Sequence, residues 1–94
     1  MIVVPGPASR ELGRRVAEKL EAKTVDVFLK RFPDGECYIR FESEEFQGED
    51  VAVVQTTAPP QHENLVQLFL MADTLKDFGA ASITAVVPYF AYAR

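Results

Sequence analysis

The chain has 94 residues, 48% of them hydrophobic and 26% charged, and its formal net charge is −4. This is enough for one small domain with an ordinary globular core, and too apolar for a disordered chain. The acidic balance argues against nonspecific nucleic-acid binding, which needs a basic surface, while leaving room for a local basic pocket.

The start of the chain, Met1 to Gly6, lacks a basic stretch and is broken by Pro5 and Gly6. It reads as a first buried strand over 2–4 rather than as a signal peptide. No run of about 18 apolar residues occurs, so no transmembrane helix is expected, and a cytoplasmic protein is the default. Ser9 is placed to N-cap a helix whose first turn carries Glu11. Leu12, Val16 and Leu20 recur every four residues and predict its apolar stripe. Gly13 is a blemish in that helix.

Val25, Val27 and Leu29 alternate with Asp26, Phe28 and Lys30, and Cys37, Ile39 and Phe41 with Tyr38, Arg40 and Glu42. Period two predicts two half-buried strands. Pro33-Asp34-Gly35 between them is a turn signal, so the two runs form a hairpin-like unit. Cys37, the single cysteine, cannot build an internal disulfide or a multi-cysteine zinc site and reads as a small buried hydrophobe.

Residues 42–50 are acidic and read as a loop punctuated by Gly48. Residues 51–54 are continuously apolar, as a central parallel strand covered on both faces requires. A polar loop follows, and a second helix begins near 61–64, with Leu65, Leu68, Phe69, Ala72 and Leu75 on its buried face. Gly79 suits a left-handed C-cap. Residues 82–87 predict another buried strand, closed by Pro88. Strands alternating with helices predict an α/β fold, a mostly parallel sheet flanked by helices with a hairpin-like extension. The last ten residues are apolar and aromatic almost to the end, where chains usually become polar. The chain is therefore expected to be a fragment.

Neither phosphate-binding glycine loop, GxxxxGK[ST] or GxGxxG, occurs. No Ser/His/Asp or Cys/His set can be assembled, and the single histidine, His62, reads as a surface residue at a helix start. In open α/β sheets ligands bind beyond the carboxyl ends of the strands. Residues 55–64 and 89–94 both follow apolar strands and are expected at that edge. Arg94 there could hold a phosphate through its planar fork of donors, or could be a solvated surface arginine. The stretch from Phe32 to Glu36 offers an aromatic ring for stacking, carboxylates as acceptors and a glycine that admits a ligand close to the backbone. On the residues alone, a plain hairpin turn is the favoured reading of it.

Arg31-Phe32-Pro33-Asp34-Gly35-Glu36, Gln55-Thr56-Thr57, Asn64-Leu65, Met71-Ala72-Asp73-Thr74-Leu75-Lys76 and Pro88-Tyr89-Phe90-Ala91-Tyr92-Ala93-Arg94 follow one another in an order and spacing that resembles the N-terminal part of ribose-phosphate pyrophosphokinases, the PRPP synthetases. The resemblance implies the N-terminal half of a phosphoribosyltransferase-like fold, with 1–94 as the N-terminal domain of a longer two-domain chain. It implies transfer of the β,γ-diphosphoryl group of ATP to the C1 hydroxyl of ribose 5-phosphate, giving AMP and phosphoribosyl pyrophosphate. By the same resemblance Phe32, Asp34, Gly35 and Glu36 form an ATP site, the first, second and last touching adenine across a subunit interface, and Arg94 touches ATP from the other side. The metal-binding histidine, the basic catalytic loop and the ribose-phosphate loop of the family would lie downstream. So this segment is expected to hold no catalytic residue and no metal ligand, to be inactive alone, and to leave Mg²⁺ mainly to residues outside it. A homo-oligomer built from dimers, up to a hexamer, is implied, with no nucleic-acid or membrane partner.

The sequence departs from the family at Gln47, at His62-Glu63-Asn64 in place of Asn-Asp-Asn, and at Asp77, so regulation by phosphate or ADP is not expected. Two other readings stay open. One is a non-catalytic, PRPP synthetase-associated subunit that assembles with and regulates active ones. The other is a generic α/β domain without a nucleotide site.

Overall fold

The computed structural model describes residues 1–89; Arg94 and the four residues before it lie outside the described part. The elements run β1 (Ile2–Pro5), α1 (Arg10–Lys19), β2 (Lys23–Thr24), β3 (Val27–Arg31), β4 (Cys37–Phe41), β5 (Asp50–Val54), α2 (Gln61–Asp77) and β6 (Ser82–Val86). One parallel sheet has the order β2-β1-β5-β6, and β3 and β4 form a separate antiparallel pair. Among the described residues no helix is long and apolar enough to cross a membrane.

The continuous apolar runs explain the parallel sheet, because successive side chains of a strand point to opposite faces and both faces here are covered. Ile2, Val4, Val51 and Val53 face Leu68, Met71 and Leu75 of α2 together with Val27 and Phe41 of the hairpin. Val3, Ala52 and Val54 face the other way, onto Ala17 of α1. Phe46, fully buried, meets Phe41 at 5.2 Å and stacks on Phe78 at 6.1 Å between ring centroids. It therefore pins the acidic loop onto the core.

Several expectations shift. Ser9 stands at the N-cap of α1 but makes no side-chain cap; its hydroxyl accepts instead from the Thr56 N–H at 2.9 Å. The buried residues of α1 are Gly13 and Ala17, whereas Leu12 and Leu20 are exposed and Val16 is half-buried. The reason is proximity: a Cβ on Gly13 would lie 2.6 Å from Pro5 Cα, so the helix meets β1 through its smallest residues. On α2 the buried face is Asn64, Gln67, Leu68, Met71 and Leu75, rotated from the expected one, and Phe69 is exposed. The strand after α2 ends at Val86 and is not buried: four of its five residues are exposed, because it is the outermost strand of the described sheet. Val25 is buried ahead of β3 rather than within it. Gly79, with φ of 84°, terminates α2 as predicted, its N–H bonding Lys76 O.

Gly13→Ala would ordinarily stabilise a helix interior, but here the added methyl meets backbone. Urea unfolding should show a loss of about 2 kcal/mol; a stability equal to or above the parent would contradict the close α1–β1 approach.

Candidate functional site

Two features meet at the carboxyl side of the sheet: the tip of the hairpin and the loops that follow β1 and β5. The tip is the turn from Phe32 to Glu36. The Phe32 N–H donates to Glu36 O and the Gly35 N–H to Phe32 O, both at 2.9 Å. Gly35 has φ of 90°, a left-handed conformation that glycine adopts without steric cost. Asp34 Oδ1 accepts from the Glu36 N–H at 2.9 Å, the local side-chain bond that makes aspartate a turn former. One carboxylate oxygen is thus committed to the turn.

The predicted residues Phe32, Asp34, Gly35 and Glu36 are brought together on this turn, and all are exposed. Phe32 is 40% exposed, its ring tilted against Tyr38 at 6.4 Å, with Lys30 Nζ 5.7 Å from the ring centroid. Such a ring has area available for stacking and a cation beside it. Arg31, one residue before, pairs with Glu63 in the first turn of α2. It also donates toward Cys37 Sγ at 3.6 Å. Between the hairpin and α2 lies a cleft of about 480 Å³ bordered by Arg31, Glu36, Cys37, His62, Glu63 and Leu70. Cys37 is half-buried rather than buried, and His62 is exposed at the helix start.

The strand-end loops are organised by a group that sequence reasoning missed. Gln55 follows the last apolar residue of β5 and is fully buried. Its Oε1 accepts from the Ala8 N–H at 2.9 Å, and its Nε2 donates to Asn64 O at 3.3 Å and Gln67 Oε1 at 3.1 Å. The Asn64 side chain in turn donates to Ala58 O at 2.8 Å. Buried amides persist only when paired in this way. The available signal was the polar pair Asn64 and Gln67, three residues apart in a helix. As expected from the edge argument, the loop after β5 meets the segment after β6: the Thr57 N–H and hydroxyl both donate to Tyr89 O, at 2.9 and 2.7 Å. Arg94, the remaining predicted contact, lies outside the described residues. Among the described residues no group of three or more His, Cys, Asp or Glu side chains is placed to hold a metal ion.

Residues 1–94 match the family described as the N-terminal domain of ribose phosphate pyrophosphokinase. A ribose-phosphate pyrophosphokinase of Sulfolobus acidocaldarius is 45% identical over 94 residues, which is all of this chain and 32% of that protein. The chain therefore spans about a third of the relative's length. A phosphoribosylpyrophosphate synthetase from Mycobacterium smegmatis superposes with a TM-score of 0.89 at 32% identity, covering 99% of this chain and 31% of that one. A purine phosphoribosyltransferase from Pyrococcus horikoshii, 13% identical, superposes at 0.71 over 98% of this chain and 65% of its own. That likeness shows a phosphoribosyltransferase-like fold and nothing further.

Gln55→Leu keeps the volume roughly but takes their partner from the Ala8 N–H and the Gln67 side-chain oxygen. Chemical denaturation should register a loss of about 3 kcal/mol. A change within about 0.5 kcal/mol, the range of an ordinary surface substitution, would contradict the network.

Proposed function

The chain belongs to the family of the N-terminal domain of ribose phosphate pyrophosphokinase, and from that premise we propose that it supplies part of the ATP site of a ribose-phosphate diphosphokinase. The reaction is transfer of the β,γ-diphosphoryl group of ATP to the C1 hydroxyl of ribose 5-phosphate, releasing AMP. The observation that supports this reading is the exposed turn in which Phe32, Asp34 and Glu36 stand together, with Gly35 at positive φ.

The roles are those the family resemblance implies, and the side chains suit them. Phe32 stacks on adenine, for which base–aromatic stacking contributes roughly 1–3 kcal/mol. The second oxygen of Asp34 and the Glu36 carboxylate accept from the exocyclic amine or the ribose hydroxyls. Gly35 keeps the surface low enough for the ring to approach. Arg94, beyond the described residues, contributes a cation to the phosphates. Diphosphoryl transfer depends on positioning and on neutralising charge, and the segment contributes mainly the first. Mg²⁺, when bound, would assist by neutralising phosphate charge, held mainly by residues in the remainder of the full-length protein. The turn acts for a neighbouring subunit of a homo-oligomer, in the cytoplasm, and 1–94 forms one domain of a longer two-domain chain.

Two outcomes test this. In the full-length protein, Phe32→Ala should raise the ATP dissociation constant at least about fivefold, as loss of a stacked base would, and Asp34→Ala should raise it as well; variants that bind ATP as tightly as the parent would refute the adenine assignment. Residues 1–94 alone, given ATP, ribose 5-phosphate and Mg²⁺, should release no AMP above background, and robust turnover would overturn the assignment of the chemistry to other residues of the full-length protein.

A further inference from the structure

A binding turn at the tip of a two-stranded ribbon is only as well placed as the ribbon. The hairpin is not part of the main sheet. Its base is fixed: Val27 and Phe41 are buried in the core, and Arg10 Nη2 donates to Val27 O at 2.9 Å. From there five paired positions lead out to Arg31 and Cys37, and the tip residues themselves are exposed. A two-stranded ribbon twists and bends more readily than a sheet of several strands, so a small rotation at the base is magnified at Phe32.

The Arg31–Glu63 pair acts where that leverage is greatest. Arg31 is the last residue of β3 and immediately precedes Phe32, and Glu63 sits in the first turn of α2. The helix start is itself immobilised by the neighbouring residue, since Asn64 is held through its carbonyl by Gln55 and through its side chain by Ala58 O. A continuous path thus runs from the end of β5, through Gln55 and Asn64, to Glu63, then across the ion pair to Arg31 and the turn. Arg31 also faces Cys37 Sγ on the returning strand, so the same guanidinium touches both sides of the tip.

We propose that Glu63 is a positioning residue for the nucleotide-binding turn: through Arg31 it sets the angle at which the hairpin presents Phe32, Asp34 and Glu36. This rests on the adenine reading above. Glu63 touches no ligand in this account; its carboxylate fixes a geometry. The pair is half-exposed, with 45% and 36% of the two side chains accessible, so its effect is graded and not all-or-none.

The test is steady-state kinetics of the full-length protein. Glu63→Gln should raise the KM for ATP about three- to fivefold, the size of a half-exposed charge pair, with kcat, the KM for ribose 5-phosphate and the melting temperature unchanged. Glu63→Asp should recover part of the loss. Glu63→Arg and Arg31→Glu, each placing like charges together, should be worse singly, and the double swap should restore the ATP KM toward the parent. The inference is overturned if the ATP KM does not move, if kcat and melting temperature fall together with it, or if the double swap is no better than the single changes. Phe32→Ala, measured alongside, separates the two claims. If it raises the ATP KM while Glu63→Gln does not, positioning by Glu63 is wrong and the adenine reading stands. If neither raises it, both fall.

Discussion

The Gln55 side chain is the constraint on which the arrangement depends. It is buried at the point where the central strand β5 ends, and its amide ties that end to two other segments, the loop after β1 and the start of α2. Ala8 in the loop after β1 donates to it, and it donates to Asn64 and Gln67 in α2. A buried primary amide has one acceptor and two donor hydrogens, and leaving any of them unmade in a low-dielectric interior is costly. The satisfied geometry therefore selects one placement of the β1–α1 loop and of the α2 start relative to the sheet. Gly6 is part of the same constraint, because a Cβ there would collide with the Gln55 amide oxygen. From this anchor the ion pair between Glu63 and Arg31 carries the registration out to the hairpin tip. Everything proposed for the turn assumes that chain of fixed parts.

Much of the fold was legible because it follows from local patterning. Residues 51–54 were apolar at every position, and only a strand covered on both sides uses four such residues in a row; β5 is central and both its faces are packed. Alternation through Val27 and Ile39 gave the hairpin, and Pro33-Asp34-Gly35 gave its turn. The errors arose where tertiary proximity overrode periodicity. Leu12 and Leu20 made the obvious stripe on α1, yet α1 approaches Pro5 so closely that Gly13 and Ala17 take the contact. Ser9 had the chemistry of a cap, but the Thr56 N–H across the sheet edge competes for its hydroxyl. Residues 82–87 look like a buried strand by composition, and the exposure of the strand Ser82–Val86 reflects its outer place in the described sheet.

The candidate site divides in the same way. The turn from Phe32 to Glu36 was readable as a turn, and its functional reading came from resemblance, not from the residues. The amide network around Gln55 was not readable, because a glutamine after a strand looks like ordinary loop polarity until its partners at positions 8, 64 and 67 are brought beside it. In the sequence Glu63 stands out only as part of a departure from the family pattern; its pairing with Arg31 depends on the hairpin and α2 lying side by side.

The central claim is that the hairpin turn touches the adenine ring. Photolabelling of the full-length protein with 8-azidoadenosine triphosphate tests it directly. Trypsin cuts after Arg31 and after Arg40, releasing Phe32 to Arg40 as one peptide. The account predicts label on that peptide, and its loss when excess ATP is present during irradiation. Label found only on other peptides, and protected there by ATP, would place the adenine elsewhere and contradict the account.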